Sequence, residues 1–320
     1  MKVLVGPNHF GLEAVIPELE ERHPKVEFVF CEDRENLVEA IADADVYFGW
    51  LRRPEFLAAK RLRWIQSPSS GVDYYLQIPE IKVGDVLLTN ARGTHGACLA
   101  ESALASIFAF TRGIKASLEA QSEHRWANRE IRPKMVELTG QTLGILGFGT
   151  VGRALAERAR AFGCRILAVD AYPGEKPDYV ARLGGLEGLE AMLRESDYVV
   201  VTVPRTAETR GMLGPARLAL LKPTAILVCV SRGGIIDEKA LAEMLREGRL
   251  KAAALDVFEP EPPEPDSPLW DLENCLMTPH IAGGSQFEVP TIWEIFQENL
   301  DRYLGGDLPL RNVVDKDLGF

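Results

Sequence analysis

Three side chains and one run of glycines carry the chemistry that this sequence offers. Arg232 follows the apolar run Ile226-Leu227-Val228-Cys229-Val230 and stands in Ser231-Arg232-Gly233-Gly234. A guanidinium grips a carboxylate with two parallel hydrogen bonds. Glu261 stands in Asp256-Val257-Phe258-Glu259-Pro260-Glu261-Pro262. The prolines stiffen that stretch without helix or strand, so a carboxylate can be held at a fixed place. His280 follows Leu276-Met277-Thr278-Pro279, and imidazole is the side chain that gives and takes a proton near neutral pH. A carboxylate beside it stabilises the imidazolium. A cation for an acid group, a proton donor and a carboxylate partner are what reduction of a 2-keto acid needs besides a hydride source.

The hydride source is suggested by Thr142-Leu143-Gly144-Ile145-Leu146-Gly147-Phe148-Gly149-Thr150-Val151-Gly152, an apolar run that ends in G-x-G-x-x-G. Gly147 allows the tight turn out of a strand, Gly149 lets a pyrophosphate approach the backbone, and Gly152 lets helix and strand pack closely. The free N–H groups and dipole of the following helix favour a diphosphate. Helix-patterned residues 153–162 lead to Arg165-Ile166-Leu167-Ala168-Val169, closed by Asp170 eighteen residues past Gly152. A carboxylate there accepts both ribose hydroxyls of an adenosine. Its charge repels a 2′-phosphate, and Ala171-Tyr172-Pro173 offers no arginine to hold one. The expected cofactor is NAD rather than NADP.

Each residue has a plainer reading when taken alone. Arg232 would be a surface arginine in a βα turn, Glu261 part of a solvated acidic loop, and His280 a structural histidine after a strand. The paired glycines at 233 and 234 point to a ligand coming close. Glu259 and Glu264 read as solvated. Asp256 ends its strand and reads as an acceptor for the carboxamide of the cofactor. His9, His23, His95 and His124 show no comparable context. With the histidines scattered and no H-x-x-x-H or cysteine cluster, no metal site is expected.

The elements that must position these groups follow from the alternation of patterns. Residues 2–5, 26–30, 46–49, 64–66 and 86–88 read as short buried strands with helical segments between them, hence a parallel sheet covered on both faces. Residues 97–122 read as one long helix. A second series of strands near 142–146, 165–170, 198–202, 225–229, 251–255 and 275–278 suits a full dinucleotide-binding sheet of six strands. Residues 291–304 form an amphipathic helix, with Ile292, Trp293, Ile295, Phe296, Leu300 and Leu304 at helical spacing. That helix is expected to return the chain to the first unit. The domains expected are then 1–94 with 285–320, and 95–284 inserted between them, the two crossings forming a hinge.

Bulk properties narrow the function. A chain of 320 residues suits two domains. A net charge of −11 disfavours nucleic acid or an anionic membrane as the main partner. The five cysteines are odd in number and lack C-x-x-C, which reads as buried thiols in a reducing compartment. No apolar run reaches membrane-spanning length. The expected location is cytoplasmic.

With its motifs in this order, the sequence resembles the D-2-hydroxyacid dehydrogenase family, which includes 3-phosphoglycerate dehydrogenases and glyoxylate/hydroxypyruvate reductases. The resemblance is carried by residues 147–152, Ser231-Arg232-Gly233-Gly234, Ala254-Leu255-Asp256-Val257-Phe258, and Thr278-Pro279-His280-Ile281-Ala282-Gly283, and extends from Ser69-Ser70-Gly71-Val72-Asp73 to the final helix. It implies two doubly wound parallel-sheet α/β domains, a Rossmann domain inserted in a flavodoxin-like substrate domain. It implies that Arg232 binds the carboxylate and polarises the carbonyl, His280 transfers the proton and Glu261 tunes His280. It places cofactor contacts at Gly147, Gly149, Thr150, Val151, Gly152, Asp170, Val203, Pro204, Val230, Ser231, Asp256 and Gly283, and substrate-facing N–H groups at Ser70, Gly71 and Val72. It also implies a homodimer, and domains that close over the ligands. Cys229 departs from the pattern, which commonly has asparagine there.

The substrate is expected to be a small 2-keto or 2-hydroxy acid. Trp50-Leu51-Arg52-Arg53 follows the third strand, where Trp50 would wall the pocket and Arg52 hold an anionic tail. The plainer alternative is a basic surface pair beside a packed tryptophan. Two rival functions keep the same fold: an NAD-sensing regulatory protein, and a dehydrogenase of an inorganic or one-carbon acid such as phosphite or formate.

Overall fold

The computed structural model describes residues 1–8 and 11–320; His9 lies outside the described residues. The chain divides into two compact units, Met1–His95 with Ser285–Phe320, and Gly96–Gly284.

In the first unit the apolar runs form β1 (Lys2–Val5), β2 (Glu27–Phe30), β3 (Val46–Phe48), β4 (Trp64–Gln66) and β5 (Leu87–Thr89). They pair in the order β2-β1-β3-β4-β5, all parallel, which is the flavodoxin-like order. A parallel sheet is covered on both faces, so its strands are mostly apolar, with Gln66 and Thr89 as buried polar exceptions. Side chains alternate between the faces. Val3 and Val5 join Phe48 and Trp64 in one core, while Leu4, Tyr47 and Ile65 join the other. The first core is closed by the helix Glu288–Gly305, whose Ile292, Trp293, Phe296 and Leu300 are buried. Phe296 stacks on Phe48 with centroids 4.5 Å apart and on Trp64 at 5.6 Å. Burial of each such side chain stabilises the unit by roughly 1.5–3 kcal/mol.

The second unit contains β6 (Thr142–Leu146), β7 (Arg165–Val169), β8 (Arg182–Gly184), β9 (Tyr198–Val201), β10 (Ile226–Cys229), β11 (Ala252–Leu255) and β12 (Cys275–Met277). The order is β12-β11-β10-β9-β6-β7-β8, again parallel throughout. This is the Rossmann order with a seventh strand added beyond the sixth. The sheet therefore has one strand more than the six expected. The strand that the sequence did not lead one to expect is β8, third in the Rossmann order: the edge segment Arg182-Leu183-Gly184, exposed or half-buried along its length. It has no apolar run by which a pattern could reveal it.

The single long helix expected over 97–122 is two helices, Gly96–Thr111 and Ile114–Ser122, bent by 63°. Gly113 breaks it by adopting φ 66°, a left-handed conformation open to glycine at little cost. A Cβ at Gly113 would collide with Ile131 Cγ2. The apolar spacing runs on across the glycine, so periodicity alone reports one helix. Among the described residues no single helix is long and apolar enough to cross a membrane.

Candidate active site

Because every strand of the second sheet runs the same way, the loops after their carboxyl ends share one edge, where ligands of open α/β sheets bind. Along that edge the loops carry His280 after β12, Asp256 and Glu261 after β11, Arg232 after β10, Val203-Pro204 after β9, Gly147 to Gly149 after β6 and Asp170 after β7. Adjacent strands lie about 4.8 Å apart, so the groups chosen from sequence form one row.

The glycine turn fits a dinucleotide. Gly147 has φ 99°, and a Cβ there would lie 2.9 Å from Thr202 Oγ1 and from Val203 N. A Cβ on Gly152 would collide with Gly147 O, so the helix Thr150–Ala161 packs hard against the turn. At Gly149 an added Cβ meets nothing within 4 Å, so this backbone faces open space. The helix has no side-chain cap at Gly149. The N–H groups of Thr150, Val151 and Gly152 have no partner among the described residues, and Arg153 N is the first to bond, to Gly149 O at 2.9 Å. Unpaired N–H groups at a helix start suit an anion. Asp170 accepts from Phe148 N at 2.6 Å and from Tyr172 N at 2.8 Å, one bond per carboxylate oxygen. Each oxygen keeps accepting capacity for a hydroxyl. The residues present thus fit an NAD(P) molecule.

Glu261 and His280 meet. Glu261 Oε2 lies 2.7 Å from His280 Nδ1, and Glu261 Oε1 accepts from Phe258 N at 2.8 Å. The pair is open to solvent, the side chains being 46% and 35% exposed for His280 and Glu261. His280 Nε2 has no partner among the described residues. The ring is presented by a strained backbone, φ 54° at His280, a value few residues other than glycine adopt. Asp256 organises that turn. It is 3% exposed, and its carboxylate accepts from Thr278 Oγ1 at 2.6 Å and from Ile281 N and Ala282 N at 3.0 Å. From the other side Cys98 Sγ lies 3.1 Å from Gly283 O, and Ser102 Oγ donates to Ala282 O at 3.1 Å. The visible work of Asp256 is to hold the His280 turn.

Arg232 is half-buried and donates from Nη1 to Ser231 O at 2.8 Å. The glycines beside it answer to protein, not ligand. A Cβ at Gly233 would collide with Phe258 O, and one at Gly234, φ 78°, with the Glu259 carboxylate. The loop of Arg232 therefore lies against the loop of Glu261. Cys229, below it, is buried, and burial pushes its thiol up. Its Sγ lies 3.7 Å from both Ser231 Oγ and Arg232 O.

Glu259 is not a solvated residue. Its Oε1 receives Arg210 Nη2 at 2.8 Å and Arg205 Nη1 at 3.4 Å, and its N–H donates to Glu238 Oε1 at 2.9 Å. Burial holds the Glu238 carboxyl above its ordinary range. The Glu261 loop is thus fastened to two other segments of its unit. Nothing in the spacing of these charges along the chain revealed that. Arg153 is another residue that sequence reading passed over. Its guanidinium lies 4.8 Å from the centroid of the Phe148 ring, and Nη2 donates to Glu175 O at 3.0 Å.

In the first unit the candidate substrate residues follow β3 and β4, again at carboxyl ends. Trp50 is half-buried, and its carbonyl accepts from Tyr47 Oη and Arg34 Nη2, both at 3.0 Å. Arg53 pairs with Glu80, whereas the exposed Arg52 side chain has no partner among the described residues. The N–H groups of Ser70, Gly71 and Val72 also have none there. Ser70 Oγ lies 2.9 Å from His95 Nδ1, and His95 Nε2 lies 3.1 Å from Glu288 Oε1. His95 therefore has the context that sequence reading denied it. Its partners are 25 and 193 residues away, beyond the reach of local pattern.

A family model described as D-isomer specific 2-hydroxyacid dehydrogenase, NAD binding domain, matches residues 104–282. The glyoxylate reductase of Korarchaeum cryptofilum is 36% identical over 290 residues, covering 88% of this chain and 86% of that one. The D-3-phosphoglycerate dehydrogenase of Methanocaldococcus jannaschii is 34% identical over 323 residues, covering 98% of this chain but 59% of the relative. Among solved structures, the NADPH-dependent glyoxylate/hydroxypyruvate reductase of Sinorhizobium meliloti, in complex with NADP and sulfate, superposes with a TM-score of 0.86 at 28% identity, covering 100% of this chain and 99% of that one.

Proposed function

The chain belongs to the D-isomer specific 2-hydroxyacid dehydrogenase family, and on that footing we propose that it reduces a small 2-keto acid to the D-2-hydroxy acid with NADH. The observation that carries this reading is the Glu261–His280 contact at 2.7 Å, on the sheet edge that also bears the Arg232 loop and the glycine turn. When bound, the dinucleotide supplies the hydride. The Arg232 guanidinium holds the substrate carboxylate in a bidentate grip and draws charge from the neighbouring carbonyl. His280 donates a proton from Nε2 to the carbonyl oxygen as that oxygen gains charge. Glu261, on Nδ1, fixes the ring and stabilises its charged form. In the first unit, the N–H groups of 70–72 face the substrate, with Trp50 as a wall and Arg52 for an anionic tail. Glyoxylate and hydroxypyruvate are the substrates favoured by the named relatives.

The Asp170 carboxylate supports NADH over NADPH, since it would repel a 2′-phosphate. A second copy of the chain is supported by apolar side chains left in solvent on one stretch: Trp126 is 95% exposed, Leu118 60% and Ile114 49%. Ile114 and Leu118 share a helix face. The test of function is oxidation of NADH, and separately of NADPH, with glyoxylate, hydroxypyruvate, pyruvate and phenylpyruvate. Turnover with at least one acid, faster with NADH, is expected. Tight NADH binding without turnover on any acid would favour an NAD-sensing protein instead.

A further inference from the structure

The chain leaves the first unit after His95 and re-enters it at Ser285. Glu288, which opens the final helix, reaches back to His95 Nε2 at 3.1 Å. The same ring holds Ser70 Oγ at Nδ1, 2.9 Å away. Both members of this pair are largely buried, 13% and 19% exposed for the side chains of His95 and Glu288. An ionised carboxylate only accepts, so Nε2 carries a proton. In that tautomer Nδ1 is an acceptor, and the single Ser70 hydroxyl hydrogen lies between Nδ1, 2.9 Å from Oγ, and Ala91 O, 3.0 Å from it.

The backbone around Ser70 is fastened to the same segment. Asn90 Nδ2 donates to Ser70 O at 2.9 Å, Ala91 N donates to Ser69 O at 3.1 Å, and Ser70 Oγ lies 3.0 Å from Ala91 O. The next N–H groups, those of Gly71 and Val72, have no partner among the described residues. A loop whose donors are kept for a ligand must be held by its other atoms. Here one imidazole joins that loop to both places where the chain crosses the boundary of the unit.

We propose that His95 and Glu288 are positioning residues that set the substrate loop 69–72. The inference rests on the reading that the N–H groups of 70–72 hold the keto acid. Glu288 fixes the tautomer and orientation of His95, and His95 fixes Ser70. The residues act through Ser70 and touch neither hydride nor proton transfer.

Glu288→Ala and Glu288→Gln are compared in the full chain. In Glu288→Ala the KM for the keto acid rises roughly tenfold, the worth of one hydrogen bond to a charged group, while kcat and the Kd for NADH stay near wild type. In Glu288→Gln the amide oxygen accepts the same N–H, and KM returns toward wild type. Nitrogen-15 spectra of the imidazoles report the ring itself: Nε2–H for His95 in the wild type and in Glu288→Gln, and loss of that state in Glu288→Ala. An unchanged KM in Glu288→Ala overturns the proposal, as does a fall of kcat, NADH binding and Tm together without rescue by glutamine. Should the wild type turn over no keto acid, the functional reading fails by itself. The proposal then falls with its substrate role, while Nε2–H spectra would retain the clasp as structure only.

Discussion

Two histidine–glutamate pairs in this chain differ in what becomes of the second ring nitrogen. His280 meets Glu261 at 2.7 Å through Nδ1 and leaves Nε2 without a partner among the described residues, on an exposed turn with left-handed backbone. His95 meets Glu288 at 3.1 Å through Nε2 and gives Nδ1 to Ser70, in a largely buried setting. A ring that must deliver a proton needs one nitrogen facing substrate. A ring that must hold a loop uses both. The carboxylate serves each ring in the same manner, so pairing with glutamate does not by itself mark a catalytic histidine. Access to the other nitrogen does.

Substitutions should separate the two pairs, the largest effect coming from the exposed one. His280→Ala is expected to lower kcat by roughly 10²–10⁴-fold, the contribution of a positioned general acid, with NADH binding retained. Stopped-flow or steady-state rates check this; a kcat near wild type would erase the difference between the rings. Glu261→Gln should lower kcat less, by about tenfold, because the amide still accepts from the ring but no longer stabilises its charge. The stability ranking is reversed. His95→Ala leaves Ser70 and Glu288 without their partner and should cost about 1–3 kcal/mol in urea unfolding, while His280→Ala, at an exposed turn, should cost within about 0.5 kcal/mol. Equal losses at the two sites would break the comparison.

The smallest effect concerns the support of the Glu261 loop. Burial raises the Glu238 carboxyl above its ordinary range, so the folded state binds its proton more tightly than the unfolded state. The resulting cost is present above the folded value, where both states are ionised, and vanishes below the unfolded value. Glu238→Gln keeps an acceptor for Glu259 N and removes the charge. Its Tm should exceed the wild type slightly at neutral pH, with the gap closing as pH falls through the carboxylate range. A gap that widens on acidification would contradict this.

The residues legible in sequence are those whose job is local. Gly147, Gly149 and Gly152 each follow from a turn, an open approach and a close packing within six residues, and the structure provides all three. The two parallel sheets were legible because buried strands are short apolar runs between helices. What escaped notice depends on contacts far apart in the chain or on absent side chains. The pair Gly233-Gly234 looked like a ligand's doorstep, yet the neighbour is the Phe258–Glu259 backbone and carboxylate. Glu259 looked solvated because Arg205 and Arg210 lie some fifty residues before it. Edge strand β8 carries no apolar run, and Gly113 turned one helix into two without disturbing the spacing of leucines and alanines.

The central claim is that hydride passes from NADH to the carbonyl carbon of a 2-keto acid while His280 supplies the proton. NADH deuterated at the transferred position, incubated with glyoxylate or hydroxypyruvate and the enzyme, tests it most directly. The account predicts deuterium on the carbinol carbon of the 2-hydroxy acid, as the D isomer where that carbon is stereogenic, with its formation suppressed in His280→Ala. A product without deuterium, or labelled product formed as fast by His280→Ala, would contradict it.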